Sequence, residues 1–322
     1  MTRVLIVGGS GFIGSRLTTR LLELGHDVTI FDRAPSTAHA SRLVRGDVRD
    51  ATALRGAVEG AECIVALAAE HRDDVQPAAR YYDVNVGGAA NLVRAAAEAN
   101  VPRVVLVSSV AVYGLDQPFA DESAPLRPDS DYGRSKMLAE GVLSDWVRGA
   151  AQRSLLILRP VVLFGEGSRG NVFHLAEQLR RRRFAMVGSG RNRKSIGYVG
   201  NLVELIAQRL DGGPGRTVLN FADAPDYSTG ELVVRLCELL GRRPPSWSLP
   251  YPVALAAGHV LDALTLVLGR PLPISAVRVR KFCTATQIST AALEASGFES
   301  PVSLDEGLAR MVAAMREGSR QP

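Results

Sequence analysis

Apolar residues in the first half of the chain fall into short unbroken runs separated by stretches of helical period. Val4 to Val7, Val28 to Phe31, Leu43 to Arg45, Cys63 to Leu67, Val104 to Val107 and Leu155 to Leu158 have the length and composition of strands. A parallel strand covered on both faces shows this kind of continuous apolar run. Between them, Phe12, Ile13, Leu17, Leu21 and Leu22 mark a helix that stops at Gly25-His26. The spacing predicts further helices: a short one through Leu54, a long one over about 78–99, and one over about 132–147. Regular alternation of strand and helix with short turns implies a parallel sheet with right-handed crossovers, a doubly wound (Rossmann) α/β fold. After Arg159-Pro160 the pattern loosens, and Gly165, Gly167, Gly170, Gly188 and Gly190 separate short elements. A smaller α/β domain starts there. Thr217 to Phe221 has the pattern of one more core strand, and Ser228-Thr229-Gly230-Glu231 that of a capping box opening a helix through Leu240. The chain thus divides into a sheet domain of 1–163 plus about 198–224, and a second domain of about 164–197 plus 225–322.

The turn after the first strand carries the first chemical signal. Gly8, Gly11 and Gly14 are spaced three apart, in Gly8-Gly9-Ser10-Gly11-Phe12-Ile13-Gly14, between a buried strand and a helix. Bare backbone at these positions supplies a tight turn, close approach to a pyrophosphate at the helix N-terminus, and a close helix–strand contact. The second strand ends in Asp32, placed to accept hydrogen bonds from adenosine ribose hydroxyls, where a ribose phosphate would be repelled. The sheet domain is therefore expected to bind a dinucleotide, with NAD favoured over NADP. Arg33, next in sequence, is a cation that can pair with a ribose phosphate and works in the opposite sense.

Composition narrows the partners. With 38 Lys and Arg against 33 Asp and Glu, the formal charge is +5. The surplus lies in short arginine clusters without the interleaved aromatics of a strand-binding groove, which argues against nucleic acid and for small phosphorylated substrates. Cys63, Cys237 and Cys283 lie far apart and the five histidines are scattered, so no metal site is expected. Separated cysteines and a strand close to the N-terminus, with no signal peptide pattern, point to a reducing, cytoplasmic setting. Residues 251–268 are nearly all apolar, interrupted by Gly258, His259 and Asp262 and fenced by Pro250, Pro252 and Pro271. A buried or amphipathic helix accounts for them; weak interfacial association with a membrane is the alternative.

Tyr132 and Lys136 stand four apart on one helical face. A phenol with pKa near 10 is a poor base at neutral pH. A neighbouring ammonium favours the phenolate and lowers that value. The strand Val104 to Val107 delivers Ser108-Ser109 at its C-terminal end, the edge at which open parallel sheets bind ligands. Ser109 can there hold a hydroxyl or carbonyl beside Tyr132.

With these residues the chain resembles the extended short-chain dehydrogenase/reductase superfamily, in its NAD-dependent nucleotide-sugar epimerase/dehydratase family. Further carriers are Gly46-Asp47-Val48, Leu67-Ala68-Ala69, Tyr82-Asp83-Val84-Asn85-Val86-Gly87-Gly88, Ser108 to Gly114, and Leu158 to Gly165. The resemblance implies a catalytic group of Ser109, Tyr132 and Lys136, with Asn85 in a proton-relay helix. It implies cofactor contacts from Gly8, Ser10, Gly11, Phe12, Ile13, Gly14, Asp32, Arg33, Asp47, Val48, Leu67, Ala68, Ala69, Asn85, Val107, Tyr132, Lys136, Arg159, Pro160 and Val162. Asn171 matches a position at the nucleotide end of the substrate, Lys194 or Arg193 its diphosphate clamp, and Arg278 or Arg280 a second clamp. Glu70-His71-Arg72-Asp73-Asp74 follows the cleft-lining strand as a solvated loop or, through Glu70 and Arg72, as a sugar contact. Sugar dehydratases carry an acidic pair after the catalytic Ser or Thr; Val110 and Ala111 stand here, and no acid is available to protonate a leaving hydroxyl.

The implied activity is epimerisation at C4 of a UDP-hexose or UDP-N-acetylhexosamine through a 4-keto intermediate, in polysaccharide biosynthesis. The alternatives are a 4-keto nucleotide-sugar reductase or dehydrogenase using NAD(P), or a hydroxysteroid-type oxidoreductase. The resemblance also implies a homodimer through a four-helix bundle built from the helices near 78–99 and 132–147.

Overall fold

The computed structural model describes residues 1–72, 75–115, 117–268 and 276–318. β1 (Arg3–Val7) leads through the glycine turn into α1 (Phe12–Glu23), β2 (Asp27–Asp32), β3 (Leu43–Arg45), α2 (Ala51–Val58) and β4 (Cys63–Ala66). α3 (Ala79–Tyr82), a π-helical turn at Asp83–Gly87, α4 (Gly88–Glu98), β5 (Arg103–Val107), α5 (Asp131–Arg148) and β6 (Ser154–Pro160) follow. Next come β7 (Val162–Phe164), α6 (Asn171–Arg180), β8 (Met186–Val187) and β9 (Arg193–Tyr198), then α7 (Val199–Gln208) and β10 (Gly215–Phe221). The chain continues through β11 (Asp223–Ser228), α8 (Thr229–Leu240), β12 (Ser248–Leu249), α9 (Tyr251–Leu268), α10 (Ala276–Cys283), α11 (Ala291–Ala295) and α12 (Leu304–Gly318).

Two compact units share these elements. The first holds Met1–Val161, Val199–Ala222 and Ile288–Pro301, and the second Val162–Tyr198, Asp223–Gln287 and Val302–Pro322. Two assignments differ from the sequence expectation. Residues 288–301 pack with the first unit because Asn220 Nδ2 donates to the Ser289 carbonyl and Arg209 reaches Ser296. Val162 begins β7 and pairs with Ile196 in the second unit rather than closing the sheet domain.

In the first unit seven strands lie in the order β10-β6-β5-β4-β1-β2-β3, and every pairing is parallel. Successive strands run outward from β1 in one direction and return through β4 in the other, so β1 and β4 flank the topological switch point where such sheets bind ligands. The registers Val7 with Phe31, Val7 with Ala66, and Ala66 with Leu106 bring the C-terminal ends of these strands into one row. The central strands β1, β4, β5 and β6 are buried along most of their length, and the helices cover the sheet with Leu17 and Leu21 from α1, Leu92, Ala95 and Ala96 from α4, and Leu143, Trp146 and Val147 from α5. Each such large side chain contributes about 1.5–3 kcal/mol on leaving water. The long helix expected over 78–99 carries a π turn at its centre, a device common at functional sites, and it sets Asn85 into the interior.

The second unit has a three-stranded sheet, β11-β9-β7, and a parallel β12-β8 pair. Its helix α8 opens with the expected capping box: Ser228 Oγ accepts from the Glu231 amide while Glu231 accepts from the Ser228 amide. Gly241 closes that helix at φ 65°, a left-handed value at which glycine carries no Cβ penalty.

A polar chain runs through the first unit. Arg159 on β6 and Glu140 on α5 are each only 2% exposed and pair in a fork, Nε to Oε1 at 3.0 Å and Nη2 to Oε2 at 2.6 Å. Arg159 Nη1 also donates to the Tyr113 hydroxyl, which donates to Asn220 on β10. The carboxylate and the phenol hold Arg159 in its charged form, more than offsetting burial. Removing one partner strands the other as a buried charge. Glu140→Ala is expected to lower unfolding free energy by about 3–5 kcal/mol. Urea denaturation checks this, and a loss below about 1 kcal/mol, the scale of an exposed pair, contradicts it.

Candidate active site

The glycine turn has the shape of a cradle for a dinucleotide. Gly8 has φ 91°, and a Cβ there would lie 2.5 Å from the Ala68 amide nitrogen. A Cβ at Gly14 would lie 2.5 Å from Gly9 Cα, so this residue permits the close packing of α1 on the turn. Gly11 caps α1 with extended backbone and no side-chain hydrogen bond, and the first turn of α1 has no acidic residue. That leaves the positive end of the helix for an anion. Asp32 sits at the end of β2, with one carboxylate oxygen accepting from the Ser10 amide at 3.0 Å and the other from the Ala34 amide at 2.9 Å. It thereby fixes the loop and puts negative charge where a ribose 2′-phosphate would lie. These residues fit NAD. Leu67 and Ala68 follow β4 with both amides donating to the Val7 carbonyl, which brings them beside Gly8, with Ala69 next in the chain. The Asp47 carboxyl is drawn down to about 2, chiefly by the Arg49 guanidinium hydrogen-bonded to it. Val48 packs on the glycine edge of α4 at Gly88.

The catalytic candidates converge on the start of α5. Ser130 caps the helix by accepting from the Gly133 amide, and a Cβ on Gly133 would lie 2.4 Å from the Ala111 carbonyl. Only glycine lets the first turn of α5 rest against the Ser109–Ala111 segment, and this contact places Tyr132 beside that loop. Ser109 Oγ accepts from the Ala111 amide at 3.2 Å. Lys136, one turn after Tyr132, is 3% exposed and donates to the Val107 carbonyl at 2.8 Å. Burial pushes its pKa down to about 8, with Glu140 acting in the opposite direction. Asn85 joins two layers of the site: its Oδ1 accepts from the Glu70 amide, and its Nδ2 donates to the Glu70 carbonyl and to Ser135 Oγ. Ser135 in turn donates to the Tyr132 carbonyl.

Glu70 is buried and its carboxylate is shared by Arg72 and Arg80, which hold it in the ionised form. The Tyr81 hydroxyl donates to the Arg72 carbonyl, and the Tyr81 ring lies 6.4 Å from the Tyr132 ring. The polar segment after β4 is therefore linked to α5 through Tyr81 and Asn85; Asp73 and Asp74, singled out with it, lie outside the described residues. Arg80 and Tyr81 were not among the sequence candidates, since nothing in their spacing to Glu70 or Tyr132 reveals a contact made through a helix and a loop. Arg33 is exposed, and Arg159, expected near the cofactor, turns its guanidinium to Glu140 and Tyr113 and serves as a brace for α5. Pro160 ends β6 beside it, buried.

The second unit carries the remaining candidates. Asn171 is the exposed first residue of α6. Lys194 donates to the Lys281 and Thr284 carbonyls, and burial lowers its pKa. Arg193 reaches the Asp226 carbonyl and Glu231. Arg280 lines a cavity of about 250 Å3 with Asn192, Tyr251 and Cys283, whereas exposed Arg278 is not part of its wall. Asn192 donates to the Phe282 and Thr284 carbonyls, so Asn192 and Lys194 together fix the end of α10 at that cavity. Among the described residues no cluster fits a metal ion.

Lys136 supplies a signed test. Its folded pKa of about 8 lies below the ordinary 10.5, so the unfolded chain binds more protons between these values and stability rises with pH across the window. The contribution is fully present above 10.5 and is lost as pH falls through about 8. Thermal melts of nucleotide-stripped protein should show wild type gaining on Lys136→Met as pH rises through this range. A difference independent of pH contradicts the buried ammonium.

The chain is 42% identical over 309 residues to N-acetyl-α-D-glucosaminyl-diphospho-ditrans,octacis-undecaprenol 4-epimerase of Escherichia coli O157:H7, across 95% of this chain and 93% of that protein. A UDP-glucose 4-epimerase of Vibrio cholerae is 29% identical, across 78% of this chain and 79% of its own length. The solved structure of MoeE5 in complex with UDP-glucuronic acid and NAD superposes with a TM-score of 0.78 at 27% identity, covering 98% of this chain and 99% of that one. The profile of the NAD dependent epimerase/dehydratase family matches residues 4–221, from β1 to the end of β10. The chain belongs to that family, and it is an NAD-dependent enzyme.

Proposed function

We propose that this enzyme inverts C4 of an N-acetylhexosamine joined through a diphosphate to a polyprenyl carrier. The observation that carries this reading is the 42% identity, over nearly the full length of both chains, to an enzyme named for that reaction. The local chemistry supports it. The Gly8–Gly14 turn and Asp32 would hold NAD, which would supply a reversible hydride acceptor for C4. Tyr132, its phenolate favoured by the Lys136 ammonium one turn away, takes the proton of the C4 hydroxyl and later gives it back. Ser109 donates to the oxygen as it becomes a carbonyl. Val110 and Ala111 offer no acid to expel a hydroxyl, so the 4-keto sugar is reduced again rather than dehydrated. Arg280 at its cavity is the candidate clamp for the diphosphate, and Asn85 holds Ser135 and the Tyr132 backbone in register.

A UDP-linked hexose is the second reading, favoured by the likeness to the Vibrio cholerae enzyme and to MoeE5. We also propose a cytoplasmic homodimer packed through the helices near 78–99 and 132–147, a reading that rests on the family resemblance.

The test supplies N-acetylglucosaminyl-diphospho-undecaprenol and, separately, UDP-N-acetylglucosamine, with no cofactor added, and identifies the released sugar by chromatography after mild acid. The expected result is N-acetylgalactosamine from the lipid-linked substrate. Conversion of the UDP sugar alone establishes the second reading, and no conversion of either, with activity only when a 4-keto sugar nucleotide and NAD(P)H are supplied, makes the enzyme a reductase. Tyr132→Phe is expected to lose about 10²–10⁴-fold in kcat while still binding NAD.

A further inference from the structure

We infer that α9 and α10 present a face that lies on an anionic bilayer surface. On α9, Val253, Ala256, Ala257 and Val260 follow the i, i+3, i+4, i+7 spacing of one helical stripe, and all four are exposed. Their neighbours Ala254 and Gly258 turn inward and are buried. An ordinary surface helix presents its polar face to water; this one presents an apolar stripe. Val253 is 54% exposed and Val260 61%, and Val277 on the adjoining α10 is also 61% exposed. Trp247, four residues before the helix begins, is 63% exposed. Exposed apolar patches of this kind mark interaction sites.

Charge selects the occupant. Residues 242–261 contain no Asp or Glu, and Asp262 spends a carboxylate oxygen on the Ala276 amide at the start of α10. The charges of the adjoining α10 are all cations, exposed Arg278, Arg280 and Lys281, and exposed Arg242 and Arg243 precede α9 along the chain, Arg242 donating to the Arg180 carbonyl. A protein partner or a second copy of this basic face would repel or need acidic complements, whereas anionic headgroups supply them all along the surface. An apolar stripe bordered by cations, with a tryptophan at its edge, is the pattern of a helix lying in the interface. No helix among the described residues is long and apolar enough to cross a membrane, so the contact is peripheral. The same helices contribute Tyr251, Arg280 and Cys283 to the cavity of the second unit. The inference stands without the substrate reading, because empty vesicles test it.

Purified full-length protein is sedimented with vesicles of phosphatidylethanolamine and phosphatidylglycerol, and with vesicles of phosphatidylcholine alone. Binding is expected to the anionic vesicles and to fall with added salt. Val253→Glu with Val260→Glu should weaken it by at least about tenfold, with the melting temperature and the turnover of a water-soluble substrate analogue unchanged. Lys281→Glu, on α10 rather than within the α9 stripe, provides a second variant should the double substitution fail to fold, and should weaken binding about fivefold. Brominated acyl chains should quench Trp247; the other tryptophan, Trp146, is buried in the core. Absence of wild-type binding, equal binding by the variants, or a dimer that Val253→Glu with Val260→Glu turns into a monomer in light scattering would each overturn the inference, the last in favour of a self-association face.

Discussion

A guanidinium and a carboxylate out of reach of water hold the nucleotide-binding unit to one geometry. Arg159 projects from β6 and Glu140 from α5, and each satisfies the other in a two-pronged pair. A pair of this kind gives little net stability against an apolar replacement, because both ions give up hydration. What it supplies is position. The fork fixes the rotation of α5 about its axis, and one turn before Glu140 on the same face stands Lys136. The glycine contact at Gly133 sets how close the helix comes to the Ser109 segment, and the pair sets how it is turned. These two constraints together set the approach and the rotation of the helix that carries Tyr132 and Lys136.

The same economy governs the cofactor side. Gly8 and Gly14 remove side chains where two backbones must nearly touch, and Asp32 spends two hydrogen bonds holding the loop that presents the α1 N-terminus. Epimerisation at C4 consumes no net reductant, so NAD would suffice as the redox group, with Tyr132 as the proposed proton carrier. The missing acids at 110 and 111 separate this outcome from dehydration. In the second unit, Asn192 and Lys194 use backbone carbonyls to anchor α10, so that Arg280 faces the cavity.

Much of this was legible in the sequence, because strands buried on both faces, a glycine turn and a Tyr–Lys pair at helical spacing are local patterns. Gly8, Asp32, Ser109, Tyr132 and Lys136 all stand at the C-terminal edge of the parallel sheet, which alternation of strands and helices predicts. The misses are non-local. Arg159 sits in a motif shared with cofactor-contacting residues, yet its partner Glu140 lies 19 positions earlier and only the pairing of α5 with β6 reveals it. Residues 288–301 join the first unit through Asn220 and Arg209, contacts that span 69 and 87 positions and leave no periodicity to detect. The π turn at Asp83–Gly87 sits in a segment whose apolar pattern reads as one regular helix, and it is the extra residue there that directs Asn85 inward. The apolar run at 251–268 was ambiguous by hydropathy alone; the exposure of Val253 and Val260 shows which way its stripe faces.

Epimerisation through a 4-keto sugar requires that hydride leave and re-enter C4 on the enzyme. The most direct test uses the N-acetylglucosaminyl lipid carrying deuterium at C4, turned over in ordinary water without added cofactor, with both epimers recovered for mass spectrometry and NMR. Retention of deuterium at C4 in the galacto product is the result this account predicts. Replacement of that deuterium by solvent hydrogen, or its appearance in free NADH, would contradict it.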